Sequence, residues 1–422
     1  MRILHTSDWH LGRRLENINR IDEQREFIEQ LCDIVKGERI DLVLVAGDIF
    51  DSYNPSAAAE ELFYHALDRL NAGGERAVVV IAGNHDNPER LCASNPLAAK
   101  RGIILLGYPD SCAAADSGGG KIKVTDSGPG WLEVGVSRCY QSAVVLTLPY
   151  PSEARLERLL SKDADEARLQ RAYSERVGSI MAGLAGKYRK DTVNLAVSHI
   201  FISGGRESES ERTLQVGGAL TVQPEVLPAR AHFTALGHLH RSQRIKDAPC
   251  PACYSGSPLA YSFSESDYAK AVYIIDAVPG KPADIREIYL SCGKPLRRWI
   301  AAEGIDQALK WGSEGKDKYA WIDLEIHTDR PITVEEQKAL RELNPGILNI
   351  RPVIKRQDLI AAGYENRETK KIDQLFKDFY LHKTKTEISE ELMGVFLDVL
   401  NGDDGSERRD TGEVTGYETQ VP

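Results

Sequence analysis

Strand and helix signals alternate from the first residue. "RILHTSD" is an apolar run ending in polar residues and reads as a strand. Residues 19–37 carry Ile21, Ile28, Leu31 and Val35 at helical spacing. "IDLVLVAGD" at 40–48 is a continuous apolar run, as expected of a strand buried on both faces. Residues 56–72 read as a helix, "AVVVIAGNHD" contains another buried strand, 88–100 is predicted helical and "GIILLG" is a strand. This is α/β alternation.

The rhythm then changes. Residues 112–130, rich in Gly, Ser and Asp, read as a loop. "WLEVGVSRCY" and "SAVVLTLPY" read as strands of a second sheet, 153–189 as a charge-laced helical region and "TVNLAVSHI" as a buried strand. "SGGRESESER" is a polar loop, and "FTALGHLH" is a strand followed by a polar turn. Past about residue 280 a smaller α/β unit is expected, built from "LRRWIAAE", a short helix, "YAWIDLEIH", the helix "TVEEQKALREL" and "ILNIRPVI". Residues 370–400 read as two amphipathic helices and 401–422 as a disordered acidic tail.

Composition adds boundaries. The 422 residues suffice for two or three domains and a large core. No apolar run approaches the roughly 20 residues of a membrane helix, and "MRILHTSDWH" meets polar residues too early for a signal peptide. A cytoplasmic protein is expected. Net charge is −10, with six acids and two arginines in the last 22 residues. That argues against indiscriminate nucleic-acid binding but not against a local basic groove. Of seven cysteines only Cys250 and Cys253 form a close pair. With no second pair to complete a zinc ribbon, a turn with two reduced thiols is expected.

The polar residues that follow apolar strands form a pattern. The first strand leads to Asp8 and His10, the second to Asp48 and Asp51, the third to Asn84, His85 and Asp86. The strand at 192–198 leads to His199, and the one at 233–236 to His238 and His240. Gly47, Gly83 and Gly237 stand just before these groups, where the chain must leave a sheet tightly. One such residue is an ordinary turn. Five strand ends repeating the same choice of Asp, Asn and His make a metal site. Oxygen and imidazole donors without a thiolate suit Mn²⁺, Mg²⁺, Fe²⁺ or Zn²⁺. The candidates exceed what one ion needs, whereas two ions about 4 Å apart sharing one carboxylate would use seven and could clamp a phosphoryl group.

In this order, D-x-H, G-D-x-x-D, G-N-H-D, a single His after a strand and G-H-x-H resemble the calcineurin-like metallophosphoesterases over about residues 1–265. The surrounding text narrows the likeness. "HTSDWHLG", "VAGDIFD", "GNHDNPERL", "SHIFISGGRESESER", "LQVGGA", "LGHLHRSQRI", "YSGSPLAYSFSE" and, near the C-terminus, "LFKDFYLHKT" with "SEELMGVFLDVL" are similar to a branch of bacterial nuclease subunits. The resemblance implies an α/β fold: a two-sheet sandwich core at 1–275, a small α/β capping domain at 280–355 and C-terminal helices at 365–400. It implies two divalent metals, most simply Mn²⁺ with Mg²⁺ as the alternative. One ion would take Asp8, His10, Asp48 and His240, the other Asp48, Asn84, His199 and His238, with Asp48 bridging. His85 would stand by the scissile phosphate, and Asp51 and Asp86 would orient ligands or cap turns.

The resemblance further implies double-strand exonuclease and single-strand or hairpin endonuclease activity in DNA repair, recombination and replication. The partner would be a coiled-coil ATPase, and the nuclease itself a homodimer. No G-x-x-x-x-G-K-[ST] loop occurs, so ATP hydrolysis would come from that partner. Arg90, Arg206, Arg212, Arg241 and Arg244 lie just beyond the motifs as candidate phosphate contacts. Leu375, Phe376, Phe379, Leu392 and Phe396 are candidate anchors for the ATPase. A phosphatase on the same core is the alternative, but "GDIFDSY" and "GNHD" lack the "GDxxDRG" and "GNHE" typical of serine/threonine phosphatases. A scaffold that had lost catalysis should have lost ligands, and all seven are present.

Overall fold

A computed structural model describes residues 1–115, 120–152, 166–211, 221–354, 372–384 and 386–400. Its chain falls into two compact units, a large one of Met1–Ile326 with Val334–Arg351 and a second that holds His327–Thr333 and the two C-terminal helices.

The large unit is built on two sheets. In the first, the strands Arg2–Thr6, Leu42–Ala46, Ala77–Ile81 and Ile103–Leu106 run parallel in that order. Ala271–Asp276 adds antiparallel beside Arg2–Thr6, and Asp284–Tyr289 adds beside that. In the second, Ala252–Tyr254, Phe233–Gly237, Val193–His199 and Gln141–Leu148 are parallel, and Trp131–Val136 and Ile122–Gly128 continue antiparallel. The sheets face each other across one apolar layer, with Ile3, Leu44, Ile81, Val145, Val197, Phe233 and Tyr273 among its members. The outer face of the first sheet is covered by the helices Ile21–Gly37 and Ala57–Asn71, through Phe27, Leu31, Phe63 and Leu70. The helix Glu166–Ala185 covers the second through Tyr173, Val177 and Met181. This is the expected two-sheet α/β sandwich. Strands buried on both faces explain the unbroken apolar runs.

Several elements differ from the sequence expectation. Ile122–Gly128 is a strand inside the segment expected to be loop. It is an edge strand with alternating burial, and its Thr, Asp, Ser and Gly residues mask the signal. Cys253 lies on the strand Ala252–Tyr254 rather than in a turn, and Cys250 and Cys253 are both buried free thiols. The strands Ala271–Asp276 and Asp284–Tyr289 belong to the core sheet, so that sheet extends past the boundary expected at 275–280. Asp284–Tyr289 is half exposed and carries no long apolar run. The region 88–100 is broken into the short helices Pro88–Cys92 and Asn95–Ala98 and a 3₁₀ turn beginning at Ala99.

The smaller α/β region is a three-stranded sheet of Leu296–Ala301, Trp321–Thr328 and Ile347–Ile354, with the helices Ile305–Ser313 and Val334–Leu343. In the second unit the helices Ile372–Thr384 and Glu390–Leu400 are joined by stacked Phe376 and Phe396 rings, whose centroids are 3.7 Å apart. The tail at 401–422, the polar segment at 363–369 and the "LQVGGA" stretch lie outside the described residues. Among the described residues, no helix is long and apolar enough to cross a membrane.

Candidate metal centre

Parallel strands deliver their C-terminal ends to one edge, which is where open α/β sheets place ligands. Here two sheets do so together. The ends are tied across the sandwich: the His199 ring donates from Nδ1 to the Ala46 carbonyl at 2.8 Å, and His5 Nε2 meets the Leu236 carbonyl at 3.1 Å. Gly47 and Gly237 are required by this closeness. A Cβ on Gly237 would lie 1.8 Å from the Ala46 oxygen, and one on Gly47 would lie 2.4 Å from His199 Nδ1. Tight exit from a sheet was the expected reason for these glycines. Gly47 does take a positive φ of 87°, but Gly237 serves close approach alone.

The loops that leave the strands bring the seven candidate ligands together. Asp48 Oδ2 is 3.6 Å from His10 Nε2 and 3.4 Å from His199 Nε2. His10 and His240 face each other through Nε2 at 3.0 Å. Asn84 Oδ1 is 2.9 Å from His199 Nε2 and 3.1 Å from His238 Nδ1. Asp8 accepts from the His238 backbone N–H at 2.9 Å and from Ser7, and it groups with His10 and His240 on one side and with Asp48 and His199 on the other. Four of these residues sit at positive φ: Asp8 at 53°, His10 at 45°, Asp48 at 50° and His238 at 109°. A non-glycine residue there costs on the order of 1–3 kcal/mol and persists only where its surroundings over-determine it. The restraint is visible: the Asp8 N–H bonds to the Gly47 carbonyl, and the His10 N–H bonds to the Asp48 carbonyl, each at 3.0 Å.

The electrostatics match a cation site. Asp8 and Asp48 are both buried, and burial pushes the Asp8 carboxyl up to about 6. Burial lowers His238 to about 3 and holds His10 well below the ordinary value, so both rings are neutral, as metal binding requires. At His199, burial is outweighed by Asp48, and the ring rises to about 9. Its Nδ1–H is already committed to Ala46, so its Nε2 can meet two oxygens only by taking a second proton or by sharing a cation with them. A divalent metal fits this donor set of carboxylate, amide oxygen and imidazole.

His85 lies beside the ligands and groups with His10 and Asp51. It is half buried, its Nδ1 donates to the Asp51 carbonyl at 2.7 Å, and its backbone N–H donates to Asp48 Oδ1 at 2.9 Å. Its Nε2 is therefore the nitrogen left for a substrate, and its ring meets His10 edge-on at 4.8 Å. The Asp51 carboxylate lies 3.7 Å from His10 Nδ1. Asp86 accepts from the backbone N–H groups of Ile49, Phe50 and Gly83, so it ties the loops of two strand ends together.

The arginines differ from one another. Arg90 forms a two-toothed pair with Glu60 at 2.7 and 3.0 Å, Arg241 lies 4.5 Å over the Tyr268 ring, and Arg244 donates to the Ile285 carbonyl. Arg206 is exposed, and Arg212 lies outside the described residues. Arg13, which the sequence did not single out, is 3.6 Å from Asp51. Also unforeseen are Gln24, which donates to the His10 carbonyl at 2.9 Å, Tyr261, which donates to the Trp9 carbonyl, and a cluster of Ser210, Glu211, Glu265 and Lys270 around His240. The one sequence signal for Ser210, Glu211, Tyr261 and Glu265 is that "RESESER" and "YSFSE" belong to the text that carries the resemblance; Gln24 and Lys270 have none.

The family model for calcineurin-like phosphoesterases matches residues 1–206, and that for the type 5 capsule protein repressor C-terminal domain matches 292–384. The chain is 45% identical over 403 residues to the SbcD component of nuclease SbcCD from Bacillus subtilis, covering 95% of this chain and 98% of that protein. It is 32% identical over 357 residues to the SbcD component of nuclease SbcCD from Rhodobacter capsulatus, covering 79% and 82%.

Proposed function

The chain belongs to the SbcD family of calcineurin-like phosphoesterases, and from that premise we propose that it is a metal-dependent DNA nuclease. Double-strand ends and single-strand or hairpin DNA would be its substrates, in cytoplasmic repair, recombination and replication. The observation that carries this proposal is the convergence of seven oxygen and imidazole donors from five strand ends on one buried point. Asp8, His10, Asp48 and His240 would hold one ion, and Asp48, Asn84, His199 and His238 the other, with Mn²⁺ the better match to mixed oxygen and imidazole donors. Two such ions supply Lewis acidity and an activated water for in-line displacement at phosphorus.

The protein's own groups then have separate tasks. Asp48 sits between the two histidine groups and would neutralise charge on both sides. His85 would present Nε2 to the leaving oxygen while Asp51 holds its other nitrogen. Arg206 and Arg241 would receive backbone phosphates, whereas Arg13 would first have to leave Asp51 and Arg90 would have to leave Glu60. The test is the purified chain with labelled linear and hairpin DNA, with and without Mn²⁺. Cleavage of both that depends on the metal is expected. Hydrolysis of phosphomonoesters without cleavage of DNA would favour the phosphatase alternative.

We further propose that the partner is SbcC, a coiled-coil ATPase, docked by the helices within 370–400. Phe379 and Leu392 are exposed, as are Ile372, Leu381 and Val395, an apolar surface suited to helix-in-groove recognition. Leu375 is half buried, and Phe376 and Phe396 serve first to hold the two helices together. Truncation after about residue 365 should leave metal binding intact and abolish co-purification with SbcC. A truncated chain that still bound SbcC at full affinity would place the interface elsewhere.

A further inference from the structure

His240 is enclosed by a cluster that no step above has used. Ser210 Oγ lies 2.6 Å from His240 Nδ1, 2.6 Å from Glu265 Oε1 and 2.8 Å from Ser208 Oγ. Glu265 is fully buried, and its second oxygen takes the Lys270 ammonium. Lys270 is itself buried and spends its other two protons on the His240 carbonyl at 3.1 Å and on Ser257 Oγ at 2.9 Å. Glu211 closes the cluster, accepting from the backbone N–H groups of His240 and Ser208.

The protons in this cluster can be counted. A carboxylate paired with an ammonium only accepts, so the single Ser210 proton goes to Glu265. The Ser210 oxygen then has two lone pairs, and two neighbours remain. The Ser208 hydroxyl can fill one, and the other must be filled by a proton on His240 Nδ1. In a neutral ring that places the His240 proton on Nδ1 and leaves Nε2 as a bare lone pair, 3.0 Å from His10 Nε2, which can then donate to it. Hydrogen bonding at one ring nitrogen decides what the other can do.

We propose that Ser210, held by Glu265 and Lys270, is a positioning residue that locks His240 with its proton on Nδ1 and so sets the affinity of the ion to which His240 belongs. This rests on the metal centre proposed above. The Ser208–Glu211 segment thereby becomes a functional part of the site, although none of its residues is among the proposed ligands.

The experiment uses the full-length chain with ¹⁵N-labelled histidine, alongside Mn²⁺ titration by calorimetry. In metal-free protein the His240 ring signals, assigned by comparison with His240→Gln, should report a protonated Nδ1 and a bare Nε2. Ser210→Ala should mix the two tautomers and weaken one of the two Mn²⁺ sites by roughly 10–100-fold, the usual effect of losing a partner behind a ligand, with the other site unchanged. Ser210→Thr, which keeps the hydroxyl, should restore both signals. Ser208→Ala removes a neighbouring hydroxyl but not the relay, and should leave the tautomer as in the parent. The proposal is overturned if Ser210→Ala keeps the parental ring signals, if both Mn²⁺ affinities are unchanged, or if Ser208→Ala matches Ser210→Ala. A parent protein that takes up no Mn²⁺ would overturn the metal centre itself, and the ring signals would still decide whether Ser210 holds the tautomer.

Discussion

Asp48→Ala should lose both metal ions together and reduce DNA cleavage to background. Asp48 Oδ2 lies 3.6 Å from His10 Nε2 in one histidine group and 3.4 Å from His199 Nε2 in the other, with the Asp8 carboxylate beside it. The Asp48 carboxyl is held well below the ordinary range because His199, His85 and His10 outweigh burial, so it is a negative charge between the two proposed metal positions. An ion that loses this neighbour loses both a ligand and the charge that offsets its own. Since metal ions supply several kcal/mol of transition-state stabilisation, the rate should fall by roughly three powers of ten or more.

A second readout separates this from misfolding. Ligands that bind only the native state raise its melting temperature by mass action. Mn²⁺ should therefore raise the melting temperature of the parent and leave that of Asp48→Ala unmoved. Without metal the variant should melt lower than the parent, since His199, His85 and His10 stabilise the Asp48 carboxylate in the fold and the His85 backbone N–H donates to it. His10→Ala should weaken mainly one ion. Two tight Mn²⁺ sites persisting in Asp48→Ala would rule out its placement as the shared ligand.

The ligand candidates could be read from the chain because each follows a buried strand. The apolar run announces the strand, and the polar residues just beyond it mark the edge where both sheets open. What lies behind the ligands could not be read that way. Ser210 acts on a ring thirty positions later, and Glu265 and Lys270 come from the stretch before the strand Ala271–Asp276, so chain proximity says nothing of their meeting. In a sequence such residues look like ordinary solvated side chains, and only the fold buries them. The positive φ values at Asp8, His10, Asp48 and His238 are hidden for a related reason. They arise from the crowding of two sheets at one edge; Asp and His tolerate such backbone better than most residues but do not announce it. Edge strands such as Ile122–Gly128 and Asp284–Tyr289 were obscure because one face is wet and the apolar signal is halved.

His85→Gln should keep both metals and DNA binding and yet lose cleavage by roughly 10²–10⁴-fold, the usual contribution of a general acid. His85 is joined to the centre by its backbone N–H on Asp48, which does not involve the ring, and its ring packs edge-on against His10. With Nδ1–H donated to the Asp51 carbonyl, a ring that also carries a proton on Nε2 is an imidazolium, able both to stabilise negative charge at the phosphate and to protonate the departing oxygen. Glutamine can reproduce a neutral hydrogen bond but can neither carry the charge nor release the proton. Calorimetry with Mn²⁺ and a binding assay with uncleaved hairpin DNA should therefore match the parent within a few-fold, while single-turnover cleavage falls. If the variant cut at nearly the parental rate, the leaving oxygen would have to take its proton elsewhere, and His85 would be reduced to holding Asp48 in place.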